Sequence, residues 1–389
     1  MMEPVLILDA NHRSALAATR SLGTRGVPVV TADETRETIS GASRHCRESF
    51  VYPSPYRAPA RFLEVLRTEL ARRGIRVVLP MTEVTTHVLV RHRDDLADAR
   101  VPFGTFEALE SLTDKRRIAV LAKRLDIPAP ETRIVESPEE ARFATAGLKF
   151  PLVVKPYRSR IFSEGAWIRA DVRYVASFEE LGRLTETVES FRRHPFLVQE
   201  YVAGQGAGVF ALYDAGRPVA FFAHRRLRER PPSGGVSVLS ESVGLDPYLR
   251  ELSGRILDHV GWHGVAMVEF KVCADGRPYL MEVNPRFWGS LQLAVDAGVD
   301  FPWLAYQLAT GARTDSVGGY RIGVRNRWLL GDLDHVYLSW KQSAGWRAKS
   351  RAITGFVKGF GPGTRHEVDR WDDFTPFLVE LKRYVGERT

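Results

Sequence analysis

The stretch "AMVEFKVCADGRPYLMEVNPR", Ala266 to Arg286, sets two apolar runs around a polar turn, and each run carries a glutamate. Asp275-Gly276 predicts a hairpin, because glycine tolerates positive φ. A two-residue turn centred there puts Ala274 opposite Arg277, Glu269 opposite Glu282 and Met267 opposite Asn284. Side chains alternate along a strand, so Glu269, Glu282 and Asn284 share one face. Val268, Phe270, Val272, Tyr279, Met281 and Val283 then form the core face. Directly paired residues hold their Cβ atoms about 5 Å apart. Two bare carboxylates that close repel by about 3 kcal/mol at an effective dielectric near about 20. A cation or a shared proton would relieve them. Oxygen-only ligands favour a hard ion, Mg²⁺ above all, which keeps waters and also binds phosphates. The plainer alternative is a solvated hairpin face with Lys271 offsetting the acids. A register slip of one residue would separate the pair.

The elements around this hairpin must come from a chain of 389 residues, long enough for two or three domains. Hydrophobic content of 44% and charged content of 26% are ordinary for a soluble globular protein. No stretch reads as a signal peptide or a membrane span. Cys46 and Cys273 are the only cysteines, so neither a disulfide framework nor a cysteine metal site is expected, and the expected location is cytoplasmic. The ten histidines show no HExxH. A net charge of +8 suits anionic small molecules, but the basic residues are spread along the chain and nucleic acid is disfavoured as a partner. Only nine of the 55 basic residues are lysines, so a lysine in a special context is informative.

The first third reads as repeated strand, helix, strand. Val5 to Leu8 is a continuous apolar run, Ala15 to Leu22 is helical, and Val27 to Thr31 is the next strand. "RFLEVLRTELARRGIRVVLPMTE" repeats the scheme, with a strand over Arg76 to Pro80. Such βαβ units build a parallel sheet. The first turn, "DANHRS", lacks the GxGxxG glycines, which disfavours a nicotinamide cofactor. Asp9, Asn11, Asp33, Thr82 and Glu83 fall at strand C-terminal ends, where ligands of such sheets gather, and are candidate substrate contacts.

Further on, Thr113 or Asp114 caps a helix running to about Asp126, and its first turn holds Lys115, Arg116 and Arg117. Cations there oppose the helix dipole, which either a bound anion or neighbouring acids would resolve. Lys155 ends an apolar strand, where an ammonium needs an anionic partner. A loop with a single glycine, Gly165, follows, then a strand from Ala166 to Arg169; this is not a Walker A loop. "RRLRERPPSGGVSV" reads as a charged loop, either solvated or a mobile lid with arginines for anionic groups. The tail from about Thr314 is basic and aromatic, with Trp328, Trp340, Trp346 and Trp371, and reads as folded without an assignable role.

Taken in order, Asp114-Lys115, Lys155, Ser163-Glu164-Gly165, "QEYV" over Gln199 to Val202, and the acid hairpin ending in "EVNPR" resemble the ATP-grasp superfamily. The resemblance covers about residues 1–315. It implies an α/β protein: a Rossmann-like parallel-sheet domain over 1–110, then a two-subdomain α+β ATP-grasp fold over 111–190 and 191–315, with 316–389 as a C-terminal extension. It implies ATP and Mg²⁺ as cofactors, with Mn²⁺ as a substitute. Lys115 and Lys155 would bind ATP phosphates, Lys155 toward the adenine side. Ser163 and Gly165 would lie on the phosphate loop. Glu200, Tyr201 and Val202 would hold adenine, largely by backbone. Glu269, Glu282 and Asn284 would ligate the metal. Arg286 would stabilise the transferring phosphoryl group, with Lys155 as its catalytic companion. Arg158 and Arg160 stand where relatives often have glycine and serine.

The implied activity is an ATP-dependent ligase joining a small carboxylate to an amine or thiol through an acyl phosphate, giving ADP and phosphate. Arg226, Arg228 and Arg230 are the candidates for contacting the acid substrate. No membrane partner is expected, and the resemblance allows a homodimer. The rival readings are a catalytically silent ATP-binding module and a basic nucleic-acid-binding protein, the latter predicting affinity that falls steeply with salt.

Overall fold

The computed structural model describes residues 2–96, 98–232, 234–342, 345–361 and 363–386, apart from the side chain of Ala348. The first layer is a four-stranded parallel sheet in the order Glu48–Val51, Val29–Asp33, Val5–Ile7, Val77–Leu79. Val5, Leu6 and Ile7 are wholly buried, because helices cover a parallel sheet on both faces. The helices Arg13–Gly23 and Pro59–Arg73 make the crossovers. The edge strand Glu48–Val51 has no counterpart in the sequence reading; its exposed, mixed composition gives no apolar run to detect.

A second sheet is antiparallel, in the order Thr132–Val135, Phe196–Glu200, Leu152–Pro156, Arg173–Val175. Its core of Val135, Leu152, Val154, Phe196 and Val198 is closed by Leu181 and Phe191. The segment expected as a loop after Lys155 is instead partly a small hairpin, Arg160–Ser163 with Ala166–Arg169. Glu164 and Gly165 both have positive φ, 52° and 85°, the geometry of a tight two-residue hairpin turn. The hairpin leans on the first layer: Trp167 N donates to Tyr56 O at 2.8 Å, and the Trp167 ring meets His87 edge-on.

From Glu200 the chain crosses at residues 201–204 into a seven-stranded sheet. Its order is Pro278–Asn284, Gly264–Val272, Gln205–Asp214, Arg217–Arg230, Val236–Ser242, Arg325–Arg327, Thr364–His366. The crossing is tight. A Cβ on Gly204 would stand 2.8 Å from the Val272 carbonyl oxygen. The supposed charged loop is therefore mostly the strands Arg217–Arg230 and Val236–Ser242. Each of its arginines meets an acid, Arg226 and Arg228 while partly buried and Arg225 and Arg230 at the surface, which is why a charge-rich run stays extended here.

The acid hairpin departs from expectation at two points that cancel. Cys273 N donates to Arg277 O at 2.9 Å, and Gly276 has φ 84°, so the turn holds three residues, not two. Phe270 consequently pairs with Leu280 and Lys271 with Tyr279. A bulge between Glu269 and Phe270 then restores the expected register, and Glu269 pairs with Glu282 and Met267 with Asn284. Between bulge and turn the faces of the second strand are exchanged, while Phe270 keeps its core position on the first. Leu280, 3% exposed, takes the core position expected of Tyr279 and Met281.

The tail completes the large sheet and ties it to the first layer. Helix Leu329–Gln342 packs on the strands Arg217–Arg230 and Val236–Ser242 and on helix Trp346–Lys358, and helix Thr375–Gly386 follows the last strand. Arg20 Nε bonds Asp373 Oδ2 at 2.8 Å, Ser43 Oγ donates to the same carboxylate at 2.7 Å, and Arg13 pairs with Glu367.

Candidate functional site

Glu269 and Glu282 lie side by side on the face of the large sheet that looks toward the second sheet, both partly buried. Asn284 Nδ2 sits between them, donating to Glu269 Oε1 at 3.2 Å and Glu282 Oε1 at 3.0 Å. Its Oδ1 accepts from Arg286 Nη2 at 3.2 Å. Arg226 Nη2 reaches Glu269 Oε2 at 3.1 Å, and Lys115 Nζ stands 3.7 Å from Glu282 Oε2. Arg226 can cross the intervening strand because Gly208, the partner of Glu269, carries no side chain there. Burial first, and then the charge of Glu282, push the Glu269 carboxyl up. Burial also works against ionised Glu282, but Lys115, the Asn284 amide and Lys155 outweigh it and bring its pKa down.

The lysines come from different elements. Asp114 caps the helix Lys115–Arg124 by accepting from Arg116 N at 2.9 Å, and its carboxylate also pairs with the Arg116 guanidinium. Part of the basic first turn is thus settled by an acid of its own, while Lys115, 8% exposed, turns inward and donates to Ser159 Oγ at 3.1 Å. Lys155 projects from Leu152–Pro156 and makes no hydrogen bond or ion pair among the described residues. Burial lowers its pKa to about 8; Glu282 opposes the shift, and Lys115 and Lys271 add to it. A cleft of about 460 Å³ lined by Lys155, Leu197, Gln199, Leu280 and Met281 opens beside it. A smaller cavity of about 20 Å³ touches Lys115, Ser159, Glu282 and Arg286. That is room for one water-sized occupant.

The donor set fits a hard divalent ion. Two adjacent carboxylates and one amide oxygen supply at most three protein ligands, leaving positions for water and phosphate, as Mg²⁺ prefers. Among the described residues no group of three or more His, Cys, Asp or Glu could hold a metal, so no fuller cage competes with this pair. Asn284 would have to rotate its amide to offer oxygen in place of nitrogen.

Other expected residues stand farther from this centre. Ser163 and Gly165 lie at the tip of the small hairpin, where Glu164 pairs with Arg193 at 3.0 Å. Ser159, at the base of that hairpin, is the serine that meets Lys115; nothing in its own sequence surroundings marks it out. Glu200 N donates to Glu131 O at 3.0 Å, and Val202 O accepts from Lys271 Nζ at 3.0 Å. The Lys271 ammonium also sits 5.0 Å from the Tyr201 ring centroid. The three arginines diverge, because bulges between Arg226 and Glu229 twist the strand. Arg226 joins the acids, whereas Arg228 bonds Asp332 at 2.6 Å and Arg230 pairs with Asp334 at 2.8 Å, both on the tail. Asp9 and Asp33 are taken up by first-layer donors, while His12, which the sequence reading passed over, lies within electrostatic reach of Asp9, Asp33 and Arg286.

Comparison with known proteins fits this geometry. Residues 192–330 match the family model described as "ATP-grasp in the biosynthetic pathway with Ter operon". The structure is similar to an L-amino acid ligase from Bacillus licheniformis (TM-score 0.62, 16% identity, covering 79% of this chain and 74% of that one). It is similar to the biotin carboxylase domain of the 2-oxoglutarate carboxylase from Hydrogenobacter thermophilus, solved as a dimer with MgADP and bicarbonate (0.66, 18%, 84% and 74%). It is also similar to an N5-carboxyaminoimidazole synthetase from Staphylococcus aureus (0.63, 14%, 84% and 83%). At such identities the likeness is one of fold, over 79% to 84% of this chain. Residues 192–330 thus match an ATP-grasp family model, and the fold of most of the chain is the one these three structures share.

Proposed function

We propose that the chain is an ATP-dependent ligase that activates a carboxylate as an acyl phosphate and transfers it to an amine, releasing ADP and phosphate. One observation carries the reading: Glu269 and Glu282 are paired across one hairpin, with Lys115, Lys155, Arg226 and Arg286 converging on them from four separate elements. The similar structures support it, since two are named as a ligase and a synthetase and a third was solved with MgADP.

In this reading the triphosphate lies between the lysines and the acids, with adenine in the cleft beside Lys155. A divalent ion on Glu269, Glu282 and Asn284 would neutralise phosphate charge. Lys155, whose ammonium makes no ion pair among the described residues, binds phosphate oxygens, as does Lys115 from the helix start. The substrate carboxylate attacks the γ-phosphorus and ADP leaves. Arg286, whose Nη1 donates to the Phe287 carbonyl, meets the charge that builds on the transferring group. The amine then adds to the acyl carbon and phosphate departs. Each of the two steps has a lower barrier than direct condensation. Arg226 is the arginine placed to contact the acid substrate.

The test is nucleotide turnover against pools of small carboxylates, including amino acids, with hydroxylamine as a general acceptor. Hydroxamate and ADP formed together, dependent on Mg²⁺, are expected for at least one acid. Mg·ATP that binds without turnover across the pools would favour a silent nucleotide-binding module instead.

A further inference from the structure

The helices Leu329–Gln342 and Trp346–Lys358 lie on the outside of the large sheet, and their inner faces are accounted for. Arg228 donates to Asp332 on the first and to the Gly355 carbonyl on the second, at 2.6 and 2.7 Å. Arg327, wholly buried, lies 4.2 Å from the ring centroids of both Phe356 and Phe360. Their outer faces have no such explanation. Leu333, Tyr337 and Trp340 stand at i, i+4 and i+7 of one helix, and Trp346, Ile353 and Val357 at i, i+7 and i+11 of the other. These six side chains are between 37% and 73% exposed. The two stripes join where Trp340 and Trp346 meet edge to face, 6.5 Å apart.

Beyond Asp332 and Asp334, which pair with Arg228 and Arg230, the charge along the two helices is of one sign. From His335 to His366 the sequence has no Asp or Glu. Arg347, Arg351 and Lys358 form a second stripe beside the apolar one on the same helix. Lys349 lies 5.0 Å from the Trp340 ring centroid and Lys341 4.8 Å from that of Tyr337, so these cations cover the rims of the aromatic surface.

We propose that this helix pair docks on an anionic lipid surface, sinking its apolar band into the boundary between headgroups and acyl chains and setting its cations on the phosphates. A second copy is a poor occupant, because a two-fold contact would bring these cations against themselves. Nucleic acid would use the cations and rings but leave Leu333, Ile353 and Val357 without a partner. No helix among the described residues is long and apolar enough to cross a membrane, so the pair would lie on the surface. The expectation of no membrane partner rested on the lack of a span, a criterion that a surface-lying helix does not meet. None of these residues touches the acid pair, so the docking stands apart from the proposed reaction.

The experiment is co-sedimentation of the full chain with large vesicles of phosphatidylcholine alone or with about 30% phosphatidylglycerol, at low and high salt. Binding is expected on the anionic vesicles at low salt and about tenfold less on the neutral ones. The double change Ile353→Ser, Val357→Ser should weaken it about tenfold. Arg347→Ser with Arg351→Ser should weaken it comparably and flatten the salt dependence. All four positions are exposed, and unchanged melting temperatures check that the fold is kept. The proposal is overturned if the anionic vesicles do not retain the chain, or if the Ile353/Val357 variant binds them as well as the parent. A dimer abolished by that same variant would overturn it too, as would tighter retention on RNA that the variant leaves unchanged.

Discussion

Two places in the molecule crowd carboxylates at the ends or edges of sheets, and they treat them differently. At the C-terminal edge of the parallel sheet, Asp9 accepts from Met81 N, Thr82 N, Thr85 Oγ1 and Tyr52 OH. Asp33 accepts from the backbone and side chain of Asn11. These acids are filled by donors of their own layer, and they brace it; Asp9 even holds a φ of 58°. On the large sheet Glu269 and Glu282 face each other across one strand pair, share one amide, and take their cations from distant elements. The same chemical group is a brace where local donors saturate it and, in the proposed function, a site where they do not.

The sharpest break of this contrast is Glu282→Gln. Loss of a metal- and phosphate-facing charge should lower ADP release by about a hundredfold to a thousandfold. The companion Glu269→Gln should do the same while leaving the nucleotide-free melting temperature unchanged or higher, since it also removes the repulsion between the two acids. A lower melting temperature with full turnover would recast the pair as another brace. Asp9→Asn should do the opposite. An amide there keeps its oxygen on Met81 N, Thr82 N and Thr85 Oγ1 but turns its NH2 toward Tyr52 OH, and costs about 1 to 3 kcal/mol of stability by urea unfolding, while turnover of the folded fraction stays within about threefold.

Lys155 gives the pH signature of an unsatisfied site. Its folded pKa of about 8 lies below that of an exposed lysine. Between about pH 8 and about 10.4 the unfolded chain binds a proton that the folded chain does not, so nucleotide-free stability rises with pH across that window, by about 1 to 3 kcal/mol. Lys155→Met should abolish the rise. In the parent, kcat/KM for ATP should fall as pH climbs through about 8, because the free protein then loses the ammonium that meets phosphate. The smallest effect is expected of Arg230→Ala. That arginine pairs with Asp334 on the tail, so activity should change by less than about threefold, whereas Arg226→Ala should lower it by about tenfold or more. Equal losses at both would mean that the whole arm, and not its Arg226 end alone, faces the substrate.

These contrasts also mark how far the sequence could be read. Continuous apolar runs at Val5 and Val77 announce buried parallel strands, and Lys155 at the end of another run announces an ammonium in need of an anion. The pairing of Glu269 with Glu282 is legible for a less secure reason. A three-residue turn and a bulge each shift the register by one and cancel before the acids, and neither has a sequence mark as plain as Asp275-Gly276. Between them the faces of the second strand are exchanged, which alternation alone cannot show. The run at Arg225 to Arg230 is misread because its charges look solvated; their partners, Glu269, Asp332 and Asp334, lie far along the chain. Ser159 is missed for a similar reason, since only the fold brings it to Lys115.

The ties between the last residues and the first layer bear on the order in which the protein can mature. Arg20 and Arg13 sit near the start of the chain, yet their carboxylate partners, Asp373 and Glu367, lie near its end. During synthesis the first layer must wait, with two guanidinium groups unmatched, until residues 367 and 373 have been made. A nascent chain halted near residue 330 would possess the acid hairpin and both lysines but lack the clasp that holds the first layer to the large sheet.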